Sequence, residues 1–353
     1  MIKEEVAMKV IYAYAKSVGS PAFAVVSKRR SAVLQAIRGV ALAGGLAMAV
    51  AANAAYPERP IEVIISFPPA GATDALARAV GHRLSDKLGQ TVVVQNRPGA
   101  GGAIGLTAAA RAQTDGYNLY LAATTNQAIA AAIYPKQEVS LLKDFVPIGQ
   151  VGFAPHALVV PASLPVKTVS ELIAYLKDKP GNYNFASQGT GTLSHLESEL
   201  FAASNQLDVM HIPYKGSVQA LPDVANGSST MMFDSVTGSM PMVQAGKIRY
   251  LAVASTSRVS LLPDVPTLAE AGVKNVVADN VFGLFAPKGV PPEVIATLST
   301  ALEAVLAEPA LKASLAKQGS EVSYATPQAL GVTIAQEHQY WSGVVKSANI
   351  QPQ

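Results

Sequence analysis

Two runs of alternating strand-like and helix-like segments, separated by a proline-punctuated break, constrain this chain more than any other feature. In the first run, residues 61–65, 91–94 and 117–122 read as strands. Helical periodicity covers 73–88, ended by Gly89, then 101–112 and 126–133. In the second run, 183–186, 209–212, 229–233 and 249–254 are the strands, and 169–177, 193–204, 217–225 and 238–245 the helices. A β-α-β-α-β order implies a parallel sheet with helices on both faces, twice over. Pro135, Pro147, Pro155, Pro161 and Pro165 mark the break, which holds extended pieces at 148–152 and 157–160. A further extended piece, 281–286, precedes Pro287, and the helices 291–307, 309–318 and 327–347 each start at or beside a proline. No strand is expected after 287, and this helical tail is expected to pack on the first unit. The chain then crosses between two α/β lobes twice, near 146–157 and 279–287, an arrangement suited to hinge closure around a ligand.

Ligands of open α/β sheets sit outside the carboxyl ends of strands. Three loops meet that condition. Phe67-Pro68-Pro69-Ala70-Gly71-Ala72-Thr73-Asp74 offers backbone N–H groups, an aromatic wall and one carboxylate, although Asp74 is equally suited to cap the helix it enters. Ala123-Thr124-Thr125-Asn126 is polar but less specific. Ser187-Gln188-Gly189-Thr190-Gly191-Thr192-Leu193-Ser194-His195 places small polar residues at a helix N-terminus, where N–H groups and the helix dipole favour an anion. The plain alternative is a helix cap with glycine turn residues. His195, in the first helical turn, is open between donating to a ligand and packing. Tyr214 could supply a hydroxyl or a wall to the cleft, and Asp234, at the end of a strand, could orient a ligand or cap a helix.

Enzyme signatures are mostly missing. Phe185-Ala186-Ser187-Gln188-Gly189 lacks the first glycine of a nucleophile elbow. Gly99-Ala100-Gly101-Gly102-Ala103-Ile104-Gly105 is a weak dinucleotide-loop match with Ile104 in the place of the third glycine. His82, His156, His195, His211 and His338 form no metal-spaced pair, and Glu197 and Glu199 read as solvated. No cofactor and no metal is expected. A serine hydrolase using Ser187 with His195 is the rival reading, without an acidic partner for His195.

Composition bears on location and charge. Lys28-Arg29-Arg30 and Arg38, the soft apolar stretch 40–51 and Ala52-Asn53-Ala54 read as an export signal cleaved after about Ala54. Residues 1–25 precede that signal awkwardly, so a start near Val25 or Val26 is an alternative. Seven of the 27 basic and two of the 24 acidic residues lie within 1–54, leaving 20 against 22 and a net of −2, which removes the basis for nucleic-acid binding. With no cysteine, neither disulfides nor thiol chemistry is available, and the fold rests on packing.

Taken in order, Tyr56-Pro57-Glu58-Arg59-Pro60-Ile61, the 67–74 loop, Val94-Gln95-Asn96-Arg97-Pro98-Gly99-Ala100-Gly101-Gly102, the 187–195 loop, Ile212-Pro213-Tyr214-Lys215-Gly216, Leu261-Leu262-Pro263-Asp264-Val265-Pro266-Thr267 and Gly283-Leu284-Phe285-Ala286-Pro287 span nearly the whole mature chain. The series resembles the Bug (TctC-like) family, the periplasmic substrate-binding components of tripartite tricarboxylate transporters. The resemblance implies a two-lobed periplasmic-binding-protein (Venus-flytrap) fold, each lobe a mainly parallel sheet flanked by helices, with two hinge crossings. Its expected boundaries are 1–54 for the leader, 55–150 with 285–353 for lobe 1, and 151–284 for lobe 2.

It further implies a periplasmic receptor, monomeric and not an enzyme, that captures a small carboxylate and delivers it to membrane transporter subunits. A sensor feeding a signalling partner shares the same binding chemistry. Carried over residue by residue, the family's ligand contacts fall on Phe67, Ala70, Gly71, Ala72, Thr73 and Asp74 of one lobe, and on Ser187, Gln188, Gly189, Thr190 and His195 of the other. Asn126, Tyr214 and Asp234 join them from the strand-end reading. The chain departs from the family at Ala72, where glycine is common, and at Val281-Phe282, where tryptophan is common; its only tryptophan is Trp341.

Overall fold

Ile61–Ile65 forms β1 and leads through the 66–71 loop into α1, Ala72–Leu88. The helix forms there because Leu76, Ala77, Val80 and Leu84 fall on one face and are all buried. Gly89 ends it in the left-handed region at φ 68°, its N–H donating to the Ser85 carbonyl. The N-cap is Gly71, not Thr73 or Asp74, and no side chain caps it. β2 (Val92–Asn96), α2 (Ala103–Ala110), β3 (Asn118–Ala123) and α3 (Thr124–Ile133) follow. The helix expected over 101–112 begins instead as a separate turn at Ala100–Gly102, because Gly101 and Gly102 take φ of 59° and 104°, which no α-helix continues. β2, β1 and β3 pair in parallel. The computed structural model describes residues 56–347 with Ala13, Tyr14, Ser17 and Ile350. The basic and apolar parts of the expected leader, its cleavage point and the alternative start lie outside the described residues.

After α4 (Leu141–Asp144), the break between the runs resolves into one strand, β4 (Phe145–Pro161), rather than two extended pieces. The second run supplies α5 (Val169–Asp178), β5 (Tyr183–Ser187), α6 (Leu193–Asn205), β6 (Val209–Pro213), α7 (Ser217–Asn226), β7 (Met231–Ser235), α8 (Val236–Gln244) and β8 (Ile248–Val253). Here β6, β5 and β7 are parallel. The fold is two-lobed, with three parallel strands in each lobe and antiparallel pairing at the crossings. β4 serves both lobes. From Phe145 to Pro155 it pairs with β9 (Asp279–Pro287), and from His156 onward with β7 and β8.

The tail forms α9 (Pro292–Leu306), α10 (Pro309–Ala316), β10 (Glu321–Ala325) and α11 (Pro327–Ser347). β10 corrects the expectation of no further strand. It is a short, half-exposed edge segment that pairs antiparallel with β4, Val322 opposite Gly152. A Cβ on Gly152 would collide with the Glu321 carbonyl, so glycine is what admits the extra strand. Val294, Leu298, Leu302 and Val305 of α9 share one core with β1, α1, β3 and β9, so the tail does pack on the first lobe. A second core gathers Leu158, Leu172, Phe185, Phe201 and Phe233. Trp341 sits with Ile129, Ile133, Leu193 and Leu196 where α11 packs on α3 and α6, 4% exposed, and lines neither wall of the cleft described below.

Candidate functional site

Two helices begin at one cleft. Phe67, Gly71, Ala72 and Thr73 bring the start of α1 to one wall; Gly216, Ser217 and Val218 bring the start of α7 to the other. Neither helix has a side-chain cap, so the N–H groups of residues 72–74 and 217–218 have no partner within their own helix. Both positive dipole ends thus converge on the same space. Gln188, Ser235 and Asn280 complete the lining. Asn280 is 3% exposed and its Oδ1 has no hydrogen-bond partner. The walls nearly touch: a Cβ on Gly216 would lie 2.9 Å from Pro68 Cδ, and the remaining cavity is ≈ 20 Å³, room for little more than one water.

Behind this lining Asp234 is fully buried. Its Oδ1 accepts from Gln188 Nε2 at 2.5 Å and from the Ser217 hydroxyl at 2.6 Å, while Oδ2 has no partner. Burial drives its pKa up, opposed by the donors of Ser217 and Gln188. Asp234 therefore spends the side-chain donors of two lining residues and orients both. What α7 has left to offer the cleft is backbone N–H.

The 187–195 loop is organised differently from an open anion site, because most of its donors are used internally. Gly189 N–H goes to the Ser187 hydroxyl at 3.1 Å, Thr192 N–H to the Gly189 carbonyl at 3.2 Å and His195 N–H to Thr192 Oγ1 at 3.4 Å. Leu193 N–H goes to Asn126 Oδ1 at 2.7 Å, so Asn126 caps a helix of the other run and is itself fully buried. Ser187 Oγ lies 2.7 Å from His211 Nε2, and the hydroxyl is buried. The rival pairing of Ser187 with His195 does not form. Instead His195 stacks on His211 with ring centroids 4.1 Å apart, its Nδ1 faces the Gly191 N–H at 3.4 Å, and its Nε2 is 3.5 Å from Glu199 Oε1. His195 is 1% exposed, with Phe185 and His211 stacked beside it.

Of the residues singled out in the sequence, Phe67, Gly71, Ala72, Thr73 and Gln188 line the cleft. Gly189, Thr190 and Tyr214 line a neighbouring cavity, and the Tyr214 hydroxyl is held by Asp223 at 2.6 Å. Ala70 is exposed at φ 68°, its N–H donating to Asp74 Oδ2 at 3.1 Å. Asp74 does not line the cleft and accepts from Arg78 Nε and Asn96 Nδ2, each at 3.0 Å. Burial pushes its pKa up, but Arg78, Asn96 and the Ala70 N–H together hold it below the usual carboxylate range.

Sequence reasoning missed Ser217, Val218, Ser235 and Asn280. The first two were open to it: Gly216-Ser217 repeats the strand, glycine, helix pattern of the other loops. Asn280 lies in a crossing strand, where no local pattern marks it. Glu197, expected in solvent, is 1% exposed and lies 2.7 Å from His156 Nδ1.

Two lobes, two crossings and a tight cleft of neutral donors define a solute-binding receptor of the periplasmic binding protein class. The chain belongs to the family described as tripartite tricarboxylate transporter family receptor, which it matches over residues 76–350. It is 38% identical to protein BugT of Bordetella pertussis over 315 residues, 89% of this chain and 96% of BugT. Among solved structures it resembles R. palustris Rpa4515 with adipate, at 32% identity and TM-score 0.82, over 84% of this chain and 100% of that one. MatC from Rhodopseudomonas palustris with bound malate follows, at 30% identity and TM-score 0.77, over 82% and 100%. Receptors of this kind bind and release their solutes unchanged, and the serine hydrolase reading falls away.

Proposed function

We propose that this protein is a periplasmic receptor that captures a small carboxylate between its lobes and hands it to a tripartite tricarboxylate-type membrane transporter. The observation that carries this reading is the convergence of two uncapped helix N-termini on one small cavity lined by no charged side chain. Anions gain from such a site because N–H donors to a carboxylate strengthen in a desolvated cleft. The structures of Rpa4515 with adipate and MatC with malate support a carboxylate as the ligand.

In this reading the contacts are the backbone of 71–73 and 216–218, the Thr73 and Ser235 hydroxyls and the Asn280 amide, with Phe67 as a wall. Residues 55–150 with 285–353 and residues 151–284 act as the two closing bodies of a monomer. Closure buries the ligand and presents a distinct shape to the transporter. A thermal-shift panel of mono-, di- and tricarboxylates on ligand-stripped protein tests it. At 100 times the Kd, a true ligand stabilises by about 2.7 kcal/mol. A flat response across the panel overturns the reading.

A further inference from the structure

Directly beside the cleft lies a second cavity, of ≈ 550 Å³ against ≈ 20 Å³. Gln188 lines the first and Gly189 the second, so consecutive residues of one loop face the two spaces. Both runs of the chain build it. Ala100, Gly101, Ala103 and Tyr134 come from the first; Thr190 and Tyr214 come from the second. Its halves meet backbone to backbone, since a Cβ on Gly101 would stand 2.6 Å from the Thr190 carbonyl oxygen. The cavity thus depends on the approach of Gly101 to Thr190, as the narrow cleft depends on that of Pro68 to Gly216.

No lysine, arginine or histidine lines either cavity among the described residues. Lys136 and Lys215 neighbour lining residues in sequence, but both are exposed and neither lines the space. Polar side chains in the larger cavity are partly spent. The Tyr214 hydroxyl donates to Asp223, and Gln137 Nε2 donates to the Val139 carbonyl at 2.7 Å. What remains facing the space is mainly ring, proline and methyl surface. A second ionised carboxylate brought here would lose water without a charged partner, whereas an uncharged body would gain by leaving water.

We propose that the larger cavity holds the uncharged, apolar or aromatic body of the ligand while the cleft holds its one carboxylate, so that the receptor selects monocarboxylates with an extended body over di- and tricarboxylates. This rests on the receptor reading above and adds the class of ligand. Space supports the division: the narrow cleft is the part into which the helix N–H groups point, and the cavity beside it has room for a body of several carbons.

The test compares matched pairs by calorimetry on the ligand-stripped protein: hexanoate with adipate, and phenylacetate with benzene-1,4-diacetate. Each monoacid is expected to bind at least tenfold tighter than its diacid. Ala103→Trp, which fills the larger cavity without lining the cleft, is expected to weaken the monoacids at least tenfold. Ile104→Trp, at a neighbouring position that is 54% exposed, is expected to leave them unchanged and so reports on folding. If diacids bind as tightly as monoacids, or Ala103→Trp has no effect while Ile104→Trp folds, the ligand-class inference is overturned and the receptor reading stands. If no carboxylate of any length binds, both are overturned.

Discussion

His156 Nδ1 lies 2.7 Å from Glu197 Oε2, with the two side chains 0% and 1% exposed. The pair ties α6 to the crossing strand β4 one residue from the register partner of Asp234, which is Ala157. His156 Nε2 and Glu197 Oε1 have no other partner, so each group depends on the other to tolerate burial. Removing one member leaves a buried group uncompensated. Glu197→Ala is expected to cost about 3–5 kcal/mol, and the double variant His156→Leu with Glu197→Leu far less, because apolar packing replaces both groups at once. Denaturant unfolding of the three proteins checks this.

The same pair predicts a slope in stability with pH. Burial lowers the pKa of His156, but the carboxylates of Glu197, Asp234 and Asp279 outweigh it and the net shift is upward. A raised imidazole binds its proton more tightly folded than unfolded. Its contribution is therefore complete below the unfolded value of about 6.5 and is lost as pH rises through the folded value. Glu197 and Asp234, raised by burial, act with the same sign. Melting temperature should fall as pH climbs from about 6.5, and the double leucine variant should show a flatter slope. Equal slopes in the two proteins would remove the cluster as the cause.

Asp74 has the opposite sign. Its lowered pKa means that its contribution is present above about 4 and lost as pH falls through the folded value. Asp74→Asn should destabilise by about 1–2 kcal/mol at neutral pH through the weakened bonds to Arg78 and Ala70, and the gap should close in acid. Because Asp74 does not line the cleft, the variant should keep the same ranking of ligands.

Gly189 tests closure. At φ 129° it has a conformation that favours glycine, and a Cβ there would lie 2.9 Å from the Tyr214 carbonyl oxygen. Gly189→Leu is expected to abolish the ligand-induced thermal shift. Gly101→Ala, blocked by the Thr190 carbonyl, should weaken binding and cost more than about 1 kcal/mol of stability, since alanine is strained at φ 59°. Calorimetry with parallel unfolding curves separates lost closure from lost folding.

Asp234→Ala should weaken carboxylate binding about tenfold or more. The methyl side chain accepts no hydrogen bond, so Gln188 Nε2 and the Ser217 hydroxyl lose the Oδ1 that orients them. Titration calorimetry reads the loss directly. Unchanged affinity would show that the orientation of Gln188 and Ser217 does not matter to the ligand.

Where the physics is local, the chain is readable. The apolar face of α1, the glycine that ends it and the β-rich runs of both halves all depend on neighbours a few residues apart. β10 escaped because Glu321–Ala325 is short and half polar, and becomes a strand only where Gly152 lets it reach β4. Glu197 escaped because its burial depends on His156, 41 positions earlier.

The sequence by itself determined the two α/β halves, the strand-end loops as the place for a ligand, and a balance of 20 basic against 22 acidic residues outside 1–54. Only the tertiary structure decided which of those loops keep free donors. Gly-rich loops before helices look alike in one dimension, but N–H groups of 187–195 find partners at Ser187, Thr192 and Asn126, whereas those of residues 72–74 and 217–218 do not. A hydrogen bond is settled by what lies within 3 Å in space, and that neighbourhood exists only once the halves have come together.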